Sequence, residues 1–430
     1  MTAPRAGPAR PVAPGRAHPV AIAVSTLALM FAGGMALAYP AYLGLMFRSH
    51  AWILVSNGRP AITDFLVFWL AGASALRGAA AAAYDPHLLH VAEVAAAGHE
   101  FSHHLPWRYS PLFLFVAAAL ALLPYVTAFL VWVGATLAVF SLAIFRIAGS
   151  RLGLVLACAT PAVFINAICG QNGPLTAALI GAVLWCLERK SVLTGGATLS
   201  LKESWLPAGI LLALLTYKPQ FGVLFPLVLV AGGYWRTLIC AAVATAAGIL
   251  LCWAAFGAGT LYAFVHFLPI TSNDLLVHGQ NGFNNLQTVY GLVRWSGFGN
   301  LAGWVAQGAV ICATATALLW LWRRPVPFAL KAAAFATATL LATPHLYIYD
   351  FAILIVSFAF LYHQRAFDML EVAAIAVANF LIGAFLFFPT PIGLVAVAIA
   401  VAMIARRVIQ EEGAPRAVTH FAQFSTPQFS

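Results

Sequence analysis

The sequence predicts a polytopic, all-α integral membrane protein, and three observations predict it. Of the 430 residues, 63% are hydrophobic and only 8% charged, with a mean hydropathy of +0.92, whereas a soluble domain carries about 25% charged residues. Apolar stretches close to the ~20 residues that cross a bilayer as a helix recur along the whole chain. They do not alternate apolar and polar residues in segments of about ten, as the strands of an outer-membrane barrel do.

Charge and cysteine usage fit this class. The net charge of +10 comes from Lys and Arg gathered in connections and tails, which is the positive-inside pattern and not a nucleic-acid footprint. The six Cys (158, 169, 186, 240, 252 and 312) stand singly in apolar segments and read as small core residues.

Taken in order, residues 1–18 are rich in Pro, Ala and Arg and read as a disordered cytoplasmic N-terminus. The first apolar segment, 19–46, lacks a small-residue cleavage site and reads as a retained span. An outer loop over about 47–107 follows, with amphipathic stretches near 65–77 and 87–97. Further apolar segments lie at 109–123, 125–147, 153–169, 173–187, 205–217, 219–233, 237–256, 301–322, 327–343, 346–362, 369–387 and 389–405. That gives about 11–13 membrane segments, some short or re-entrant. A second outer loop covers about 257–300, and a cytoplasmic tail runs over 406–430. With Arg189-Lys190, Arg236, Arg323-Arg324, Arg365 and Arg406-Arg407 inside, both large loops fall outside. One crossing between 107 and 170 is then left over. Pro111, Pro124 and Pro161 make 109–123 and 153–169 the candidates for broken elements. The short segments 205–217 and 219–233 read as a hairpin with Lys218-Pro219-Gln220 at its tip.

In so apolar a chain each polar residue at membrane depth calls for a reason, because an ionisable side chain at the bilayer centre costs about 2.5–3.5 kcal/mol on insertion scales. Asp64 is one of five Asp and opens the aromatic run Asp64-Phe65-Leu66-Val67-Phe68-Trp69. With Lys218, His345, Asp350, Gln171 and Asn172 it describes a polar cavity on the outer side. Structural readings stand beside these functional ones. Asp64 can cap a helix, Lys218 can snorkel, and His345 can be a neutral imidazole on a backbone carbonyl. Gln171 and Asn172 can bond between helices, and Asp85 of Tyr84-Asp85-Pro86 suits a turn or cap. Asp350 suits an orienting partner better than a second base. His99, His103 and His104 resemble a metal cluster superficially and read as solvated loop histidines.

Five short motifs in order carry a resemblance. They are Asp64-Phe65 through Gly78 with Tyr84-Asp85-Pro86; Tyr109-Ser110-Pro111 with Leu123-Pro124; Gly170-Gln171-Asn172; Lys218-Pro219-Gln220; and Pro344-His345 with Tyr349-Asp350. The chain resembles glycosyltransferase family 87, the polyprenol-phosphate-mannose-dependent mannosyltransferases with a GT-C fold. The resemblance implies a GT-C-type helical membrane domain over 19–405 and Asp64 as the general base. The base would deprotonate an acceptor hydroxyl that attacks the anomeric carbon of a lipid-phosphate sugar with inversion. Lys218, His345 and Arg108 would face the leaving phosphate as cationic donors. Gln171, Asn172, Gln220 and Tyr109 would complete the donor site, and Asp274, His278 and Asn281 are acceptor-side candidates. A lipid-monophosphate leaving group needs no metal, and no cofactor is implied. The implied partners are a polyprenyl-phosphate-sugar donor, a glycolipid or lipid-linked glycan acceptor and membrane lipids. The implied location is a bacterial inner membrane with the site facing the periplasm. A lipid-linked polysaccharide polymerase or ligase, or a lipid or sugar transporter, is the alternative. A transporter of this kind often shows internal repeats, and none relates the two halves here.

Overall fold

The computed structural model describes residues 19–101, 105–193 and 204–413, and among them the regular structure is helical throughout. The helices in chain order are α1 (Pro19–Arg48), α2 (Asp64–Leu76), α3 (Pro86–Ala97), α4 (Phe113–Ala121), α5 (Tyr125–Ala148) and α6 (Arg151–Cys158). Then come α7 (Pro161–Cys169), α8 (Gly173–Leu193), α9 (Trp205–Leu214), α10 (Phe225–Ala231), α11 (Trp235–Ser272) and α12 (Val289–Trp295). The chain ends in α13 (Asn300–Trp322), α14 (Phe328–Ala342), α15 (Ala352–Gln364), α16 (Met369–Ala384) and α17 (Gly393–Gly413).

Five helical stretches among the described residues are long and apolar enough to cross a membrane: Leu29–Arg48, Tyr125–Ala148, Trp235–Val277, Asn300–Trp322 and Gly393–Gly413. Their outer faces carry exposed apolar side chains, such as Leu250, Trp253 and Val265 on α11 and Leu301 and Val305 on α13. A face of that kind suits lipid and not water. The shorter apolar helices fill the interior, where Phe129, Phe140, Phe225 and Phe335 are fully buried.

Two broken elements stand where the prolines predicted them. The segment 109–123 yields only the nine residues of α4, and 153–169 splits into α6 and α7, with Thr160 at the N-cap position of α7 and Pro161 at its start. A nine-residue helix rises about 14 Å, well short of the ~30 Å hydrocarbon core. The hairpin of 205–233 also forms. Helices α9 and α10 are joined by 3-10 turns over Leu215–Tyr217 and Pro219–Phe221, with Lys218 between them.

Two expectations need correcting. The stretch 257–300 is largely helical and not an open loop. Gly257 leaves helical geometry (φ 78°, ψ 163°), yet α11 resumes at once and reaches Ser272, followed by a π-helical turn over Asn273–Val277 and by α12. Glycine adopts that backbone conformation without steric cost, so the residue bends the helix instead of ending it. The tail expected from 406 likewise begins later, because α17 continues to Gly413. Arg407 is 1% exposed there, and its Nε and Nη2 donate to the two carboxylate oxygens of Glu371 at 2.7 and 2.6 Å. A dipeptide that resembles an interfacial flank is half buried because Glu371, on a different helix, supplies a bidentate partner. Residues 1–18 and 414–430, together with His103 and His104, lie outside the described residues.

The same ion pairs fix which helix ends lie together. Arg365 and Arg407 meet Glu371, Arg324 reaches Glu412 at 3.8 Å, and His363 reaches Glu188 at 3.6 Å. These contacts collect the C-terminal ends of α8, α13, α15 and α17 at one end of the bundle. The opposite ends of α8 and α15, marked by Asn172 and Asp350, lie about 20–25 Å away at 1.5 Å per residue.

Candidate active site

At that second end several chain breaks converge. Asp64 opens α2 with Thr63 at the N-cap. Phe68, one turn on, meets the rings of Trp107, Tyr109, Phe113 and Trp132 at 5.2–6.1 Å between centroids, so the helix carrying the acid rests on a packed aromatic floor. The helix is also pressed against its neighbour. A Cβ on Gly72 would fall 2.0 Å from the carbonyl oxygen of Ala117, so α2 and α4 cross backbone to backbone.

Gln171 and Asn172 follow Gly170, which ends α7 in the left-handed conformation (φ 65°). The Trp132 indole donates to the Gly170 carbonyl at 2.9 Å, and the Asn166 amide holds both Gly173 N and the Tyr349 carbonyl. The Tyr109 hydroxyl donates to Gln171 Oε1 at 3.2 Å. Arg108 and Tyr109 are steadied from outside by the Tyr84 hydroxyl, which donates to the Tyr109 carbonyl at 3.0 Å. Tyr84 belongs to the Tyr84-Asp85-Pro86 motif, whose Asp85 caps α3 by accepting from His87 N and Leu88 N.

Lys218 does not snorkel. Its Nζ lies 2.9 Å from Asp350 Oδ1, both side chains are buried, and the rings of Tyr349, Phe221 and Tyr109 surround the ammonium at 5.3–5.9 Å. Asp350 Oδ2 accepts from Tyr347 N at 3.2 Å. Asp350 is thus the buried ion-pair partner of Lys218.

Asp64 shares this space with Gln171, Arg108, Lys218 and Asp350, yet forms no direct ion pair among the described residues. Protein encloses it while part of its surface stays accessible, as befits a group lining a cleft. Burial pushes its carboxyl above the ordinary range, and Gln171, Arg108 and Lys218 pull it back. Burial, then Arg108 and Lys218, hold His345 well below its ordinary value. That environment favours the neutral imidazole, the alternative already open in the sequence. Several polar atoms around this space are buried without a protein partner: Arg108 Nη2, His345 Nε2, and both Nδ2 and Oδ1 of Asn172. Buried polar atoms are nearly always satisfied, so such a cluster is a candidate binding surface.

The remaining candidates lie farther out. Gln220 is half-buried beside Lys218, and Asp274 lines an open groove with Pro269, Ile270 and Asn273. His278 is exposed. Asn281 donates to the Tyr347 hydroxyl at 3.1 Å, which brings the 273–285 segment to the site. The sequence reading named Tyr349 within the last motif and passed over Thr271, Tyr347 and Asn166. Tyr347 and Tyr349 lie within the last motif, where alternation beside Asp350 was the available signal; nothing local marks Thr271 or Asn166.

The arrangement can accept a proton at Asp64 and bind an anion at Arg108 and His345. Searches of curated proteins and of solved structures return no match. The sequence profile described as glycosyltransferase family 87 matches residues 107–344, more than half of the chain. It spans Arg108, Gln171, Asn172, Lys218 and Asn281 and ends one residue before His345, while Asp64 stands outside it. On that match the chain belongs to glycosyltransferase family 87.

Proposed function

We propose that the chain transfers a hexose, mannose in the first instance, from a polyprenyl-phosphate sugar to a hydroxyl of a glycolipid or lipid-linked glycan. The acceptor oxygen attacks the anomeric carbon from the face opposite the phosphate, and its proton passes to Asp64. The bond from that carbon to the phosphate oxygen breaks, and the lipid monophosphate leaves with its electrons, inverting the centre. Arg108 supplies a fixed positive charge where the leaving oxygen gains charge, and His345 a neutral N–H. Lys218, held by Asp350, adds its field, while Gln171 and Asn172 take sugar or acceptor hydroxyls.

One observation carries the reading. An enclosed carboxylate without an ion-pair partner shares its space with Arg108, which also acts on His345, and the arginine and the imidazole each keep a buried, unpartnered nitrogen. The basic ends of α8, α15 and α17 gather about 20–25 Å from this cleft. The positive-inside rule then favours the cleft opening on the outer side of a bacterial inner membrane.

The test is transfer or hydrolysis of radiolabelled polyprenyl-phosphate-mannose by the protein in vesicles, comparing wild type with Asp64→Asn. General-base assistance is worth about 10²–10⁴-fold, so the variant should lose at least about 100-fold with its fold intact. Equal activity of the two proteins would refute the base assignment. A wild type inert toward this donor but active on a lipid-diphosphate glycan would favour the polymerase alternative.

A further inference from the structure

A helix that stops inside the bundle leaves the carbonyls of its last turn without intrahelical partners. At the end of α7, beside Gln171 and Asn172, two indoles take them. Trp132 donates to the Gly170 carbonyl, and Trp52 donates to the Ile168 carbonyl at 3.0 Å from 116 positions away. Trp52 stands in the connection from α1 to α2, so its hydrogen bond ties the approach to Asp64 to the approach to Gln171. The next residue, Ile53, is fully buried at φ 65°. A β-branched residue is an outlier there, and such strain persists only where the surroundings over-determine it. The Ile53 carbonyl accepts from Ala61 N at 2.8 Å, and Leu54 bridges back to Pro60, just before Asp64. One ring completes the contact. Phe129 meets the Trp52 indole at 5.4 Å and the Phe65 ring at 5.0 Å between centroids. Phe65, next to Asp64, abuts Gly170, next to Gln171: a Cβ added to that glycine would fall 2.6 Å from Phe65 Cβ.

We propose that Trp52 is a positioning residue: with the strained turn at Ile53 it clamps the entry of α2 against the end of α7 and so fixes the spacing of Asp64 from Gln171. The indole touches no reacting atom, and its effect on transfer passes through the base. Its use in transfer rests on the assignment of Asp64 as base made above, whereas the clamp does not.

Amide hydrogen exchange of the protein in detergent tests the clamp, and transfer or hydrolysis of radiolabelled polyprenyl-phosphate-mannose in vesicles tests its use. Trp52→Phe keeps a ring against Phe129 but strips the donor from the Ile168 carbonyl. The N–H groups of Ala61 and Gln171 are bonded to the Ile53 and Asn166 carbonyls. Their exchange should rise together by about tenfold, the effect of one buried hydrogen bond left unmade. Peptides around Glu371 and Arg407, at the far end of the bundle, should be unchanged, which a general loss of stability would not allow. Arg108 is held separately, its Nε donating to Thr271 Oγ1 of α11 at 3.2 Å. The donor KM should therefore stay within about twofold while kcat falls about tenfold. On the Asp64→Asn background Trp52→Phe should cost nothing further. Should Trp52→Phe fail to fold, Ile53→Gly frees the same turn, with a rise of about threefold expected at both amides.

Unchanged exchange at Gln171 in Trp52→Phe, or a rise spread over the whole chain, would overturn the clamp. Paired exchange with a wild-type kcat, or a kcat loss that persists in full on the Asp64→Asn background, would overturn the positioning role while leaving the proposed function intact. Paired exchange in a protein whose wild type leaves the donor untouched would overturn the donor reading and leave the clamp standing.

Discussion

Replacing Lys218 by Met should destabilise the protein more than replacing Asp350 by Asn, and replacing both should destabilise it less than either. The two side chains form a buried pair at 2.9 Å, and breaking such a pair leaves one charge without compensation. In Lys218→Met the orphan is Asp350, surrounded by aromatic rings whose faces repel an anion. Removing one partner of a buried pair costs about 3–5 kcal/mol. In Asp350→Asn the orphan is the ammonium, and the three ring faces at 5.3–5.9 Å remain. At about 0.5–1 kcal/mol per face they offset part of the loss, leaving about 2–3 kcal/mol. The double variant buries no charge, so it should lie within about 1–2 kcal/mol of wild type. Thermal unfolding in detergent, followed by tryptophan fluorescence, reads all of these. The reasoning fails if Asp350→Asn is the more damaging change or if the two losses add in the double variant.

Two further predictions concern the acid and its support. Burial raises the Asp64 carboxyl above the ordinary range, and the reaction needs its ionised form. Transfer should therefore fall as pH drops through that raised value, above the usual carboxylate limb near pH 4. His345 is held neutral and should add no limb near 6.5; a pH–rate profile that stays flat down to pH 4 would contradict the assignment. Gly170→Ala should destabilise by about 2–5 kcal/mol, from left-handed backbone strain and overpacking together. At φ 65° its new Cβ would fall 2.6 Å from Phe65 Cβ and 2.8 Å from the Phe129 ring. An unchanged melting temperature with unchanged transfer would show that the turn has room that these distances deny.

The sequence made the site residues visible because the background is so apolar. With 8% of residues charged, Asp64, Lys218 and Asp350 stand out without any structural knowledge, and Pro111 and Pro161 announce the broken helices beside them. What stayed hidden was pairing across the chain. Lys218 and Asp350 are 132 positions apart, so nothing local says that this lysine is already neutralised and that Arg108 holds the free nitrogen. Glu371 and Arg407 are 36 positions apart, and without that contact Arg407 looks like any interfacial arginine. The helical arm beyond residue 257 stayed hidden for a different reason. A glycine after a long apolar run is the usual helix stop, and only the resumption of helical backbone distinguishes a bend from an end.

The site residues share one local property, which is that the helical ladder is interrupted where they stand. Asp64 opens a helix, Arg108 precedes one, Gln171 and Asn172 separate α7 from α8, Lys218 separates two 3-10 turns, and His345 to Asp350 join α14 to α15. An interruption turns side chains inward, but it also strips backbone carbonyls of their partners, which membrane depth does not tolerate. The partners come from side chains one layer back: Trp132 to Gly170, Asn166 to Tyr349, Tyr84 to Tyr109 and Tyr217 to Asn172. Tyrosine, tryptophan and asparagine in this chain thus follow from the breaks themselves, since each brings a donor on a body that still packs in apolar surroundings. The same logic explains why the cleft lies at one end of α8 and α15, where breaks coincide, while the other end is closed by ion pairs.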